Sequence, residues 1–225
     1  VRETSVTTAP TSPTRGIEVG AVGVSRAEGT AQVLAALGTR LGLGPRALAL
    51  AHSCPGCGAT DHGAPALRRA GDGTTPGGAP GDDGGPVLPA VSLTHVDGPR
   101  PVTVLAWCTP SVAGTAWGIG VDAEDPTAPQ TLRAFAAGAD GAAEIDAVAF
   151  AAEERAVLAG LSPEGALAER VRLWTVKEAL VKARGTGLDR DPAEVRPQPG
   201  EAVVPLADPR LPPGVVGTVA WRPAS

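Results

Sequence analysis

The sequence predicts an α+β chain of two lobes, divided near residue 114. Two observations carry that expectation. Strand-like and helix-like runs are mixed in both halves of the 225 residues. The division falls in a short connection, residues 109–114, between an apolar strand and a run that reads as a fresh strand. Residues 1–15 are then an arm, 16–114 an N-terminal lobe and 115–225 a C-terminal lobe.

The elements follow in order. Residues 1–15 are rich in Thr, Ser and Pro and hold no apolar run, so they read as a disordered arm and not as a secretory signal. Ser25-Arg26-Ala27-Glu28 has the capping-box pattern of a helix start. Val33, Leu34, Leu37 and Leu41 follow at helical spacing, and Gly42, Gly44 and Pro45 end the run. Residues 52–65 read as a Cys/Gly/Pro loop, and residues 71–89 as a mobile surface loop of Gly, Pro, Asp and Thr. Residues 91–94 and 102–107 are strands, with Asp97-Gly98-Pro99 turning between them. Residues 117–124 are a strand. Residues 146–161 and 162–183 are helices, the second with Ser162 at its N-cap, Pro163 at its first turn and Gly185 past its end. Residues 215–221 close the chain as a strand.

Composition bounds the function. Hydrophobic residues make up 43%, but aromatics only 3%, with no Tyr or Met, so the core is built from Ala, Val and Leu. A net charge of -5 argues against a general nucleic-acid or membrane binder. No stretch approaches the ~20 apolar residues of a membrane span. Three cysteines, an odd number, point to a reducing compartment and so to a cytoplasmic location.

Only two lysines occur among the 19 basic residues, and both lie in Trp174-Thr175-Val176-Lys177-Glu178-Ala179-Leu180-Val181-Lys182. A lysine kept where arginine is the rule points to chemistry that arginine cannot supply, since arginine never gives up its proton and lysine is a compact point charge. Leu173, Val176 and Leu180 form a core stripe, while Trp174, Glu178 and Lys182 line another face. Upstream, in Gly118-Ile119-Gly120-Val121-Asp122-Ala123-Glu124, alternation puts Ile119, Val121 and Ala123 on one face of a strand. Asp122 and Glu124 share the other, ~7 Å apart. Alone, that pair is an ordinary solvated strand end. With Glu178 and two ammonium groups added, the set suits a metal-bound pyrophosphate, because Mg²⁺ favours one or two carboxylates plus phosphates and waters.

These motifs, with Phe150-Ala151-Ala152-Glu153-Glu154 between them and Ala183-Arg184-Gly185-Thr186-Gly187-Leu188 after them, resemble the ordered motifs of the 4′-phosphopantetheinyl transferases, and by length the long, surfactin-synthetase-activating type. Cys54-Pro55-Gly56-Cys57 running into His62-Gly63-Ala64-Pro65, and Ser92-Leu93-Thr94-His95, match the upstream motifs more loosely. The resemblance implies two similar α+β lobes forming a pseudo-dimer, with the active site in the cleft between them. It implies transfer of the 4′-phosphopantetheine arm of coenzyme A to a serine of an apo carrier protein, with release of 3′,5′-ADP. Asp122, Glu124 and Glu178 would hold Mg²⁺, or Mn²⁺ in its place. Thr94 and His95 would contact coenzyme A, and Lys182 the pyrophosphate, with Lys177 assisting. Glu154 or Glu178 would take the serine proton. The partners would be acyl or peptidyl carrier domains of polyketide, nonribosomal-peptide or fatty-acid synthesis, met by a monomer; neither nucleic acid nor membrane is implied.

Three positions depart from the family pattern: Ala64 stands where it has a lysine, Gln32 where an arginine is expected, and Thr94, which keeps the hydroxyl, where it has a serine. Arg26, Arg40, Arg68 and Arg69 are the candidate basic substitutes. The departures at Ala64 and Gln32 motivate an alternative, a non-catalytic relative that binds coenzyme A or carrier proteins. His52, Cys54, Cys57 and His62 also sit close enough to suggest a zinc site, which would make the chain a zinc-stapled interaction module. Cys108, in an apolar strand, reads as a small buried hydrophobe.

Overall fold

The computed structural model describes residues 7–8, 17–22, 26–53, 57–60, 63–71, 88–108, 117–136, 142–187 and 191–223. The expected division near residue 114 lies outside them, as do Cys54, His62 and residues 72–87 of the predicted surface loop.

The first half is an antiparallel sheet carrying one long helix. Its strands are β1 (Thr7–Thr8), β2 (Ile17–Val22), β5 (Ala90–Val96) and β6 (Val102–Cys108), in the order β1-β2-β6-β5. Helix α1 (Arg26–Arg40) lies on one face, where Val33, Leu34 and Leu37 pack against Val91, Leu105 and Trp107. The Arg40 guanidinium pairs with Glu18 at 3.0 Å and ties the end of α1 to β2. The arm is not wholly unstructured, since Thr7 and Thr8 pair with Val19 and Glu18 on the sheet edge. Nor are all of residues 52–65 loop. Strands β3 (Leu48–Ser53) and β4 (Ala64–Arg69) form an antiparallel pair in which His52 opposes Pro65.

The second half repeats the combination of sheet and long helix. Strands β7 (Trp117–Glu124), β8 (Ala202–Pro205) and β9 (Val216–Pro223) run in the order β7-β9-β8. Helix α5 (Pro163–Arg184) crosses them, with Ser162 Oγ accepting from Gly165 N and Gly185 closing the helix at φ 68°. That positive φ is where glycine carries no steric penalty. The helix expected over residues 146–161 is two, α3 (Ala142–Ala149) and α4 (Ala152–Ala159). Ala151 is extended, and the Glu154 carboxylate accepts from its N–H at 2.8 Å, so a new helix starts where the old one stops. A short helix, α2 (Pro129–Phe135), follows β7, and a 3-10 turn (Pro192–Glu194) follows α5.

Alternation along the strands explains how the halves join. Ile119, Val121 and Ala123 of β7 share one apolar cluster with Val219 and Trp221 of β9, and with Val96, Val102, Val104, Ala106 and Cys108 of the first sheet. The order of layers is therefore helix, sheet, shared core, sheet, helix. Cys108, 4% exposed, is the buried hydrophobe the sequence predicts. At the seam between sheets, β5 faces β7, and the Val121 N–H donates to Ser92 Oγ at 3.0 Å. Among the described residues, no helix is long and apolar enough to cross a membrane.

Candidate active site

The site is built where α5 presses on β7. Gly118 and Gly120 lie on the helix side of β7, and this is why they are glycines. A Cβ on Gly120 would stand 1.8 Å from the Ala179 carbonyl oxygen, and one on Gly118 would stand 2.0 Å from that of Ala183. Backbone touches backbone, so side chains at the end of α5 reach the strand. The next residues on the same face of β7 are Asp122 and Glu124, as alternation predicts.

Asp122 is 5% exposed. Its Oδ1 accepts from the Lys182 ammonium at 2.6 Å and from the Thr94 hydroxyl at 3.1 Å. Lys182 Nζ also donates to the Val121 carbonyl at 3.1 Å. Asp122 Oδ2 is buried and has no hydrogen-bond partner, which is costly for a carboxylate oxygen unless a cation satisfies it. Burial pushes the Asp122 carboxyl up, and Lys182 and Thr94 offset part of that.

Glu124 and Glu178 complete an acidic trio. Burial, then the charge of Asp122, raises Glu124 to about 7, against the pull of the Thr131 hydroxyl. That hydroxyl donates to Glu124 Oε2 at 3.1 Å. Glu178 is also raised, by burial and by Asp122, with Lys182 acting in the opposite sense. Carboxylates that cannot all comfortably ionise together are a setting a divalent cation would relieve. Among the described residues, no three acidic, His or Cys side chains already enclose a point as a finished metal cage does. The set nevertheless fits Mg²⁺, which takes only one or two carboxylates and draws its other oxygens from water and phosphate. The orphaned Asp122 Oδ2 is the clearest sign of that fit.

On the other side of the seam stands His95 of β5. Its Nδ1 lies 2.9 Å from Thr103 Oγ1. Burial first, then the charges of Arg26 and Lys182, hold its imidazole below the usual histidine range, with Asp97 opposing them. The charges of Arg26 and Lys182 thus both bear on the ring and disfavour its protonated form. Sequence reasoning named Arg26 only as one of four arginines; its bearing on His95 separates it from Arg40, which is committed to Glu18.

The structure brings Asp122, Glu124, Glu178, Lys182, Thr94 and His95 into one neighbourhood. It leaves Lys177 and Glu154 out. The Lys177 ammonium donates to the Pro192 and Val195 carbonyls at 3.0 and 3.3 Å and pairs with Glu154 at 3.0 Å. Helical spacing gives the reason: Lys177 is turned about 100° from Glu178 around α5, toward α4 and the 3-10 turn. Glu154 spends its carboxylate on Ala151 N and on this lysine. The Thr94 hydroxyl likewise points at Asp122 and not outward. Thr131 escaped sequence reasoning because its seven-residue helix is too short for a periodic signal. Of the four zinc candidates, Cys54 and His62 lie outside the described residues, and His52 Nδ1 donates to the Gly63 carbonyl at 3.1 Å.

No curated protein matches the chain. Residues 118–210, which supply Asp122, Glu124, Glu178 and Lys182, match the family model of the 4′-phosphopantetheinyl transferase superfamily, and over that stretch the chain is similar to that superfamily.

Proposed function

We propose that the protein is a 4′-phosphopantetheinyl transferase of the long type, moving the phosphopantetheine arm of coenzyme A to a carrier-protein serine and releasing 3′,5′-ADP. The observation that carries this reading is the meeting of three carboxylates and one lysine within the matched segment, with an unsatisfied oxygen at its centre. Asp122, Glu124 and Glu178 would hold Mg²⁺ or Mn²⁺, and the bound ion would neutralise pyrophosphate oxygens. Lys182, Arg26 and the N–H of His95 are disposed to hold the remaining phosphate charge. Phosphoryl transfer asks for little else, since its catalysis is mainly positioning and charge neutralisation. Glu178, acting through a water, is the favoured acceptor of the serine proton, because Glu154 is already engaged by Lys177 and the Ala151 N–H. Thr94 acts by orienting Asp122, and Lys177 by bracing α4 against α5. Two similar lobes, a monomeric state, a cytoplasmic setting and carrier domains as partners belong to the same proposal.

The test is direct. The protein is mixed with coenzyme A, Mg²⁺ and a panel of apo carrier domains, and intact masses are recorded. A carrier gaining one phosphopantetheine, and not doing so once the metal is chelated, is the expected result. Coenzyme A binding without transfer to any carrier would favour the non-catalytic reading that Ala64 and Gln32 motivate.

A further inference from the structure

We infer that Lys182 is the resident counter-ion of the metal site: a positioning residue that holds Asp122 in the metal-free protein and is exchanged for the incoming divalent cation. The inference rests on the metal-site reading above, and three observations carry it.

The first is access. Asp122 Oδ2 is buried without a partner, and Oδ1 is covered by the Lys182 ammonium and the Thr94 hydroxyl. The Asp122 side chain is 7% exposed and that of Lys182 is 29% exposed. A cation therefore reaches Asp122 past the ammonium, on the one partner with an open flank and a flexible stem.

The second is charge. An ammonium 2.6 Å from Oδ1 and a divalent ion on the same carboxylate would repel one another across a single group. Acidic neighbours Glu124 and Glu178 raise the attraction for either cation but do not make room for both at Asp122.

The third is residue choice. Of 19 basic residues, 17 are arginine, yet this position is lysine. A guanidinium would grip the carboxylate through two parallel N–H bonds. An ammonium makes a single-point contact, compact enough to be traded for a metal ion. Once released, Lys182 carries its charge toward the space beside His95, so arrival of the metal and readiness of the lysine for an anion become one event.

The count of lysines makes the test clean. Protein labelled with ¹⁵N at lysine Nζ carries two labelled sites, Lys177 and Lys182. On titration with MgCl₂, the Lys182 signal is expected to shift and exchange faster with water, while that of Lys177 stays fixed among its carbonyls. In parallel, Mn²⁺ dissociation constants are read by electron paramagnetic resonance of the free ion. Lys182→Met should bind Mn²⁺ roughly tenfold tighter and Lys182→Arg roughly tenfold weaker, the size of one charged hydrogen bond. The arginine variant keeps the charge, so simple electrostatics predicts no change for it; it also carries the test if the methionine variant does not fold. If Mn²⁺ binds while the Lys182 signal stays put and Lys182→Arg binds like the wild type, the exchange is overturned and the metal site stands. If Mn²⁺ binds to none of the three proteins, the metal-site reading falls, and the exchange with it.

Discussion

Two helices lie on two sheets in this molecule, and they do so at different distances. Helix α1 meets its sheet through large side chains: Leu37, wholly buried, packs with Val33 and Leu34 against Leu105 and Trp107. Helix α5 meets β7 at Gly118 and Gly120, where the Ala183 and Ala179 carbonyls lie against the strand backbone. Side chains of ordinary size hold a helix ~10 Å from a sheet, the usual spacing of packed layers. Removing them lets a lysine near the end of α5 touch a carboxylate on the strand below. The first interface stores packing energy; the second gives part of that up and gains a polar cluster at close quarters.

The comparison can be broken from either side. The largest effect is expected from Gly120→Val. Its Cβ would collide with the Ala179 carbonyl and the Ala183 amide, both backbone, so neither can yield as a flexible side chain would. We expect a loss of about 4 kcal/mol or outright failure to fold, read by urea unfolding; a wild-type midpoint would show that the close approach is not needed. On the opposite interface, Leu37→Ala should cost about 3 kcal/mol by cavity formation while leaving metal affinity unchanged. A parallel loss of metal binding would mean that the two helix layers are not independent.

A smaller contrast lies within α5. Lys177 and Lys182 are chemically identical, yet one is 3% exposed and ringed by carbonyls and Glu154 while the other borders the acidic trio. Lys177→Met should therefore cost about 2 kcal/mol of stability, through the oxygens left unpaired, with the Mn²⁺ dissociation constant unmoved. An altered constant at unaltered stability would return Lys177 to the site. The last effect concerns pH. Glu124 sits at about 7 in the folded protein and lower in the unfolded chain. The folded state thus binds the extra proton, and the metal-free protein loses stability as pH rises from about 4.5 to 7. Glu124→Gln should flatten that part of the stability curve; an unchanged slope would assign it to another group.

The sequence made some of this legible and not the rest, for physical reasons. The bounds of α5 were readable because its signals are local: Ser162, Pro163 and Gly185 act on backbone groups within a turn of themselves. The faces of β7 were readable because a strand alternates strictly. The break at Ala151 was not, since alanine is as good a helix former as any and the interruption is made by Glu154, three residues on. The Thr94 contact with Asp122 spans 28 residues and two sheets, and no pattern within one element reveals it. Lys177 shows the limit of charge as a signal: the helical period turns it about 100° from Glu178, and its ammonium sits among the Pro192 and Val195 carbonyls and Glu154.

The apolar layer shared by the two sheets has a consequence for how the chain comes apart. Neither sheet owns that layer, so stripping one away would wet Ile119, Val121 and Trp221, or Val102, Val104 and Cys108, on the other. Heating should accordingly give one calorimetric transition for both halves. A nick between them would leave two pieces that stay together until both melt.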